Sequence, residues 1–557
     1  AAQFDVRQIE VLRGPQALFF GKNSPGGIIS LTSADPGDRP EFLVRGGFEF
    51  EAEERFGEMI VSGPLTERVG GRLAARYSKM DGRFDIFSPP FPGETPYGLD
   101  SFPKQEEVFL RGTAVFEPND RLKIRLKSTY VDVDMIGSSS MFSDLIYCPY
   151  GSAQGVAGFP AAGVDDCRKD RRITASLLPP ETSLLDPLAT DDPHGMRTNE
   201  QVLLTGDVSF DLTDSLNLTA VTGYYEADEY FSTNASHDIR AWQAASGTFN
   251  PRQLSQEVRL TSDFASPVNF MVGAMYERRR ASQATSIVRP KAGLKLPTES
   301  TSQKHEAYSA FGQVIWDATE RLEVSLGGRY SHEKRRVLDY IVETATVTAD
   351  VVPLLPVTEV SFDDFSPELT LSFQATPDIL LFGSYKQGFK SGGLDSGYTG
   401  GAILANPARG IDFAPEEVEG FEVGMKSSLV DGQVALNLTG YWYDYDNLQV
   451  SAFDSQAQVY KVISAARARV RGIEAETFYT PHAVPGLTLH LSGTFNDAKY
   501  LEYLADCYTG QTIELGCNKV LNPVTGLYTS QDLSGQQMQR APRYTASLGV
   551  YYEFPVS

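Results

Sequence analysis

Short polar turns and long irregular loops alternate strictly along almost the whole chain. The short turns lie near residues 64–68, 117–121, 211–215, 264–267, 317–321, 375–378, 429–432 and 480–486. The long loops lie near residues 81–104, 134–197, 232–251, 282–302, 339–360, 391–414 and 501–538, with short ones near 51–54 and 453–458. In an antiparallel fold this order puts every short turn at one end and every long loop at the other, as in membrane β-barrels. Counting the segments between the connections predicts about 18 antiparallel strands.

Side chains alternate with a period of two inside the predicted strands. In residues 121–130 the apolar Leu122, Ile124 and Leu126 alternate with the cationic Lys123, Arg125 and Lys127. The cationic row faces water in a soluble sandwich and the lumen in a membrane barrel, so this strand alone leaves both folds open.

The same alternation divides the predicted strand around residues 433–442 into an outward and an inward face. The predicted lipid-facing residues are Val434, Leu436, Leu438 and Trp442, and the predicted inward residues are Gln433, Asn437 and Thr439. The tyrosines 441, 443 and 445 are predicted to lie near the outer membrane interface, where aromatic residues concentrate. Ordinary strand aromatics are the alternative.

Length, hydropathy and charge narrow the class of protein. The 557 residues contain no linker, charge block or low-complexity run, which favours one large closed architecture. Since no run of about 18 apolar residues occurs, helical membrane spans are excluded. The mean hydropathy of -0.24 is compatible with a barrel, because lipid-facing and lumen-facing residues cancel along each strand. The net charge of -23 argues against nucleic acid, whose binders carry a basic face.

The four cysteines form two local pairs, Cys148 with Cys167 and Cys507 with Cys517. Each pair falls inside one long loop, which predicts two disulfides and an oxidising compartment. Free thiols in a cytosolic protein are the alternative. Zinc is disfavoured because the pairs lack a tight Cys-x-x-Cys spacing and no histidines cluster beside them.

No pattern in the chain points to catalysis. The stretch from Arg13 to Ser24 is superficially like a phosphate-binding loop, but the spacing from Gly14 to Gly21 is too long, and Asn23 stands where magnesium needs a Ser or Thr. No nucleophile elbow, zinc-protease motif or calcium loop occurs. The six histidines are dispersed and match no metal spacing. We therefore predict that the chain is not an enzyme and has no metal and no cofactor.

The N-terminal stretch and three later ones resemble a known family. Residues 8–33 are two strand-like segments joined by a Gly-Pro break, an apolar stretch and a Gly/Asn/Pro turn, which is too short a chain to bury a core of its own. The motifs are IEVLRGP at 9–15, FG at 20–21, SPGGII at 24–29, GFKSGG at 388–393, PEEVE at 415–419, EVGMK at 422–426 and RVRGIEAE at 469–476. Together they resemble TonB-dependent outer-membrane receptors, 22-stranded barrels plugged by an N-terminal globular domain.

The resemblance implies an all-β fold, a transmembrane antiparallel β-barrel with the C-terminal part of the plug domain in its lumen. It assigns residues 1–38 to the plug and residues 39–557 to barrel strands 1–18. The family's signal, TonB box and first plug strands have no counterpart here, and its terminal aromatic residue is replaced by an ending at Ser557. We therefore expect an incomplete piece of a 22-stranded receptor.

The implied function is TonB-dependent active transport of a scarce nutrient across the outer membrane of a Gram-negative bacterium, with a ferric siderophore as the favoured cargo. The implied partners are the TonB-ExbB-ExbD complex, outer-membrane lipid and lipopolysaccharide, and the iron-siderophore ligand. Cobalamin, haem, a glycan or a small aromatic compound are alternative cargoes. A passive 18-stranded porin, narrowed by the N-terminal residues, is the alternative from another class.

The resemblance also implies a plug-to-barrel ion-pair cluster of Arg13, Glu422 and Glu474. Alternation turns both glutamates inward together with Gly420 and Gly472, which leave room for a plug backbone. A cation inside the lumen is costly unless it is paired, and removing a buried partner costs about 3 to 5 kcal/mol. Unpaired lumen-lining charges are the alternative.

Ligand contacts are predicted at the loop-side ends of two strands. The residues are Tyr385, Lys386, Phe389, Lys390, Tyr224, Tyr225, Arg240 and Trp242. Aromatic and cationic groups suit an anionic, catechol-bearing iron chelate, and equally suit a sugar or an aromatic acid. Residues 22–27 are interpreted as a tight turn that needs a positive φ at a glycine, and its contact with ligand is left open.

Overall fold

A computed structural model gives the fold. It describes residues 4–137, 167–168, 170–236, 239–344, 346–395, 400–405, 410–454, 459–508, 511–523 and 526–554. Within these ranges no helix is both long enough and apolar enough to cross a membrane. Strands and their connections make up nearly all of the described chain.

Residues 4–38, here called the plug segment, form a hairpin with one short helix. Its elements are β1 (Val6–Arg13), α1 (Ala17–Phe20) and β2 (Gly27–Ser33). The two strands are antiparallel, with Arg13 opposite Gly27. Gly27 has a φ of 127°, and a Cβ there would lie 2.4 Å from the Leu12 carbonyl oxygen. The predicted positive φ at a glycine therefore occurs where the two backbones meet.

Eighteen longer strands of the described chain form one antiparallel sheet that curves into a barrel around the plug segment. In order, β3 to β20 are Glu41–Glu49, Glu54–Thr66, Val69–Met80, Lys104–Asn119, Leu122–Ile136, Met196–Thr213, Leu216–Asn234, Ala244–Ser262, Val268–Arg289, Thr298–Thr319, Leu322–Glu343, Glu359–Thr376, Ile379–Lys390, Glu416–Leu429, Val434–Asp454, Val459–Tyr479, Leu487–Glu502 and Tyr544–Tyr552. Each strand is registered to the next one along the chain. The run ends in β3 and β20, whose residues are mostly exposed. The predicted all-β barrel is confirmed.

The connections have the predicted polarity. Short turns join β4 to β5, β6 to β7 and so on to the turn between β18 and β19, and the opposite end carries the long connections. The predicted loop at 282–302 was too long, because β11 continues to Arg289 and β12 begins at Thr298. Residues whose composition had suggested a loop thus extend the barrel wall beyond the predicted strand ends.

The long connections carry small elements of their own. They are strands Phe84–Phe87, Ser101–Phe102, Arg172–Thr174, Leu294–Lys295, Thr348–Asp350, Gly393–Leu394, Asp412–Phe413, Leu504–Asp506 and Ser530–Asp532, helices α2 (Glu181–Leu185) and α3 (Gly400–Ala405), and 3-10 turns Pro290–Ala292 and Val352–Leu354. The predicted disulfide between Cys507 and Cys517 is present. Cys167 is also disulfide-bonded, and its predicted partner Cys148 lies outside the described residues.

The cationic face of β7 points into the lumen. Arg125 Nη2 lies 3.4 Å from Asp35 Oδ2 of the plug segment, and Lys127 donates to the Ser33 hydroxyl. Leu126, between them, is 58% exposed on the outer face. The choice between a soluble sandwich and a barrel is thereby resolved in favour of the barrel.

The three tyrosines of β17 do not lie at an outer interface. Tyr443 is 5% exposed, and Tyr445 Oη donates to the Pro25 carbonyl of the plug segment at 3.4 Å. Tyr441, at the same parity, stacks with Tyr443. The prediction was wrong because all three residues share the inward face, opposite the exposed Trp442.

The plug segment crosses the lumen between two small apolar cores. At its start, Phe4 packs with Ile60, Ala74, Phe109 and Val131 of β4 to β7. Near its tip, Leu18 packs with Met271 and Phe311 of β11 and β12. Asp5 adds an ion pair of 2.6 Å to Arg72. A segment too short to bury its own side chains is therefore buried by the wall on both sides.

Candidate functional site

A cavity of about 620 Å³ lies where the tip of the plug segment meets the barrel wall. The plug segment contributes Phe20, Lys22 and Asn23. The other lining residues, from β10 to β13, β18 and the connections above, are Phe249, Gln253, Met275, Glu277, Arg279, Ala281, Gln283, Thr301, Gln303, His305, Ala307, Tyr308, Ser309, Arg329, Ser331, Glu333, Arg335, Leu394, Asp395, Phe413 and Val462. A segment separate from the wall thus closes one side of the cavity.

The cavity lining carries more positive than negative side chains, unlike the chain as a whole. The charged side chains are Lys22, Arg279, Arg329, Arg335, Glu277, Glu333 and Asp395, with His305 among them. Cations outnumber carboxylates here, although the chain carries a net charge of -23. Cationic groups beside aromatic rings in a partly enclosed space favour an anionic ligand with aromatic groups.

Lys22 reaches from the plug segment into a buried group on three neighbouring strands. Its Nζ lies 2.7 Å from Glu277 Oε1 on β11, 3.1 Å from His305 Nε2 on β12 and 3.6 Å from Glu333 Oε2 on β13. His305 also contacts both carboxylates, at 3.3 and 2.8 Å. The side chains of Lys22, Glu277 and Glu333 are 17%, 10% and 1% exposed. These four residues, here called the Lys22 cluster, therefore place a plug cation against carboxylates that need partners when buried.

The next residue, Asn23, joins the same turn to the connection that follows β15. Its N–H donates to the Phe389 carbonyl at 2.9 Å, and its side-chain oxygen accepts from the Ser391 N–H at 3.3 Å. The Ser391 hydroxyl donates to Glu333 of the Lys22 cluster. The plug turn, the barrel wall and the base of a long connection therefore share one hydrogen-bonded network.

Arg329 packs against the turn from the wall. It is 3% exposed, lies 4.8 Å over the Phe311 ring and donates to Ser309 Oγ at 2.5 Å and to the Leu18 carbonyl at 3.5 Å. A Cβ at Gly21 would lie 3.0 Å from its Cζ, and Gly21 has a φ of 72°. Both the space and the backbone at this position therefore favour glycine.

The predicted ion-pair residues lie at a second contact. Arg13 Nη1 pairs with the Glu474 carboxylate, and the two side chains are 59% and 20% exposed. Glu422 lies instead beside the plug backbone, where its Oε1 would be 2.5 Å from a Cβ on Gly14, and its other oxygen is 3.7 Å from Lys386 Nζ. Among the described residues, no ion pair joins Arg13 to Glu422. The role of the three residues as one cluster stays a prediction.

Comparison with known protein families assigns the chain. The family model for the TonB dependent receptor-like β-barrel matches residues 157–557, more than half of the sequence. The chain belongs to this family. TonB-dependent receptors are outer-membrane proteins that bind siderophores and interact with TonB, and they act as receptors and transporters, not enzymes.

Individual relatives of the receptor are distant in sequence. The pesticin receptor of Yersinia pestis is 21% identical over 495 residues, covering 88% of this chain and 63% of that protein. The solved ferric yersiniabactin uptake receptor of Yersinia pestis aligns with a TM-score of 0.72 at 16% identity, over 98% of this chain and 71% of that one. The ferripyoverdine receptor of Pseudomonas aeruginosa aligns at 0.66 and 16% identity, over 100% and 64%. These likenesses show the fold, and the receptor chain spans less than two thirds of the curated relative's length.

Four predicted ligand residues near the end of β15 do not line the receptor's cavity. Tyr385 faces outward, with its ring 5.0 Å from that of Phe421. Lys386 belongs to the second contact, and Phe389 is 2% exposed. The carbonyl of Lys390 accepts a hydrogen bond from a neighbouring glutamine side chain. Of the four, Phe389 takes a direct part in docking the plug segment, because its carbonyl accepts a hydrogen bond from the Asn23 N–H.

The other four predicted ligand residues lie on and after β9, and none of them lines the cavity either. Tyr225 is opposite the lining residue Gln253, whereas Tyr224 points the other way. Arg240 lies 4.8 Å over the Trp242 ring in the connection beyond the strand. The role of these residues in ligand binding stays a prediction, since which side chains face the cavity depends on where the plug tip docks.

Sequence reasoning missed the Lys22 cluster. The usable signal was weak, because it consisted of inward parity at positions 277, 305 and 333 and a lysine in a plug turn. Lys22 and Glu277 are 255 residues apart, a separation that no local spacing encodes. Among the residues that the structure describes, no group of three or more His, Cys, Asp or Glu is arranged to hold a metal ion.

Proposed function

We propose that this receptor takes up a ferric siderophore across the outer membrane of a Gram-negative bacterium in a TonB-dependent manner. The observation that carries the proposal is the cationic cavity between the plug segment and the wall of an acidic protein. The names of similar proteins, which are receptors for ferric yersiniabactin and for ferripyoverdine, support it.

An anionic iron chelate suits the cavity by charge and by the chemistry of the lining residues. Three catecholate groups give a ferric complex a triple negative charge, because each contributes two oxygen anions. Arg279 and Arg335 offer planar guanidinium donors for such oxygens, and Phe20 and Phe249 offer apolar ring faces. Glu333 accepts a hydrogen bond from the Ser391 hydroxyl and lies 3.7 Å from Arg335 Nη2, so it repels an incoming anion less than a free carboxylate would.

The barrel is proposed to span the outer membrane, with its short turns in the periplasm and its long connections outside. Outward side chains such as Val423, which is 67% exposed, and Leu438, which is 41% exposed, would face lipid. Lipopolysaccharide and lipid are the proposed contacts of this surface. The disulfide between Cys507 and Cys517 would then lie in an oxidising compartment.

The plug segment is proposed to gate the lumen, and the TonB-ExbB-ExbD complex is the proposed source of energy for its displacement. Contacts with two separate parts of the wall, through Phe4 and through Leu18, support a closed resting state. Arg13, Glu422 and Glu474 are proposed to hold the segment together with the Lys22 cluster. Opening the path therefore requires several contacts to break.

Uptake by the full-length receptor tests this function. The complete gene is expressed in a Gram-negative host that lacks its own siderophore receptors, with and without TonB. We expect uptake of radioactive iron from a catecholate chelate that falls to background without TonB. Equal uptake in both hosts would overturn the proposal and indicate a passive porin. TonB-dependent uptake of haem, cobalamin or a glycan, but of no iron chelate, would overturn the assigned cargo.

A further inference from the structure

We propose that Lys22 couples occupation of the cavity to release of the plug segment. An anionic ligand in the cavity draws the Lys22 ammonium away from Glu277 and Glu333, and this loosens the turn that docks the segment on the barrel wall. The inference rests on the proposed uptake function and adds to it the contact through which a bound ligand is sensed.

Lys22 is placed to respond to the cavity because it belongs to both structures. Its side chain lines the cavity, and its ammonium faces Glu277 at 2.7 Å, His305 at 3.1 Å and Glu333 at 3.6 Å. An ammonium has three N–H donors and no acceptor. A ligand anion therefore gains this cation only at the expense of the contacts to the wall.

The wall carboxylates keep other partners when Lys22 is drawn away. Glu333 remains bonded to the Ser391 hydroxyl and 3.7 Å from Arg335 Nη2, and Glu277 remains 3.3 Å from His305 Nδ1. The loss of Lys22 therefore does not leave isolated buried charges, which would make release prohibitive. A contact of this kind is reversible.

The turn around Lys22 is held by hydrogen bonds within itself and to the barrel wall. The Ser24 hydroxyl donates to the Gly21 carbonyl at 2.6 Å, and Ser24 is fully buried. Asn23, inside the turn, is bonded to Phe389 and Ser391. A shift at Lys22 is therefore passed to the docking contacts and to the connection that carries Leu394 and Phe413 of the cavity lining.

The first part of the test compares two variants of the full-length receptor without ligand. Lys22→Met removes the ammonium, and Lys304→Met is the control because Lys304 lies on β12 next to His305 but pairs with Glu306 at 2.7 Å instead. We expect amide hydrogen exchange of residues 21–24 to be at least about tenfold faster in Lys22→Met. Exchange in Lys304→Met should equal that of the unchanged receptor. Equal exchange in Lys22→Met and the unchanged receptor would overturn the proposal.

The second part adds two iron chelates of different charge, ferric tris(catecholate), which is anionic, and ferric tris(acetohydroxamate), which is neutral. The anionic probe should accelerate exchange of residues 21–24 in the unchanged receptor and in Lys304→Met, and should add nothing in Lys22→Met. An anionic probe that leaves exchange unchanged, or a neutral probe that accelerates it equally, would overturn the coupling. A failure of TonB-dependent iron uptake would refute the proposed function. It would not affect the ligand-free comparison of Lys22→Met with the unchanged receptor, which tests the docking role of Lys22 separately.

Discussion

Lys22 and Arg13 both bring a plug cation to carboxylates of the barrel wall, but burial separates their energetic roles. The Lys22 side chain is 17% exposed against a Glu333 that is 1% exposed, whereas Arg13 is 59% exposed. An exposed pair contributes about 1 kcal/mol or less, whereas loss of one partner from a buried pair costs up to about 3 to 5 kcal/mol, and less where the remaining charge keeps other partners. The Lys22 cluster is therefore the stronger electrostatic anchor.

Arg13→Ala is accordingly expected to weaken plug docking by about 1 kcal/mol or less. The measurement is the urea concentration at which amides of the plug segment lose protection from hydrogen exchange in the full-length receptor. Arg471→Ala is the matched control, because Arg471 lies on the same strand as Glu474 but 5.0 Å over the outward Trp442 ring. A loss of about 3 kcal/mol or more would instead make Arg13 the main anchor.

Gly14→Ala is expected to weaken plug docking by about 2 to 4 kcal/mol. Gly14 has a φ of 65°, and a Cβ there would lie 2.5 Å from both Glu422 Oε1 and Tyr443 Oη. Gly26→Ala in the same segment is the control, since its Cβ would meet nothing within 4 Å. The urea concentration at which the plug amides lose protection from hydrogen exchange should be lower in Gly14→Ala than in Gly26→Ala. Equal urea concentrations for the two variants would contradict the close approach at Gly14.

Individual strands were the part of the molecule most predictable from sequence. The period of two is local, so it gave the inward direction of Glu422 and Glu474 and the outward direction of Trp442 without knowledge of the fold. The same rule, applied strictly, turns Tyr443 inward, and the error there came from giving aromatic composition priority over parity. Lys22 remained hidden because its partners are fixed by how the plug segment docks, which depends on contacts between distant strands.

Outward and inward positions on neighbouring strands should respond differently to a new charge. Val423 lies on the outer face of β16 and is 67% exposed. Val423→Lys places a cation there, and it should lower the free energy of unfolding in phospholipid vesicles by about 2 to 4 kcal/mol. Asn437→Lys on the inward face of β17 should change it by about 1 kcal/mol or less. Equal costs in urea titrations of the two variants would mean that this part of the outer face does not contact lipid.

Taken as a whole, the receptor is a curved β-sheet wall whose lumen is crossed by one short segment. The segment touches β4 to β7 through Phe4, β11 to β13 through Leu18 and Lys22 and β18 through Arg13. Arg13 and Glu474 are 461 residues apart, so these contacts are a property of the folded barrel and not of any stretch of sequence. Displacement of the segment must therefore break contacts on several walls.

A covalent tether between the plug turn and the wall should separate binding from transport. The Ser391 N–H donates a hydrogen bond to the Asn23 side chain at 3.3 Å, so the two residues are neighbours. Asn23→Cys combined with Ser391→Cys can therefore be joined by a short bifunctional thiol reagent with a reducible link, which would hold the turn in place. We expect the tethered receptor to retain chelate binding and lose uptake, and a reductant to restore uptake, because the proposed gating requires the segment to leave the wall here. Asn23→Cys alone, treated identically, controls for the reagent and for reduction of the native disulfide. Full uptake by the tethered receptor would show that cargo passes without release of this turn, and the gate would then have to lie elsewhere along the plug segment.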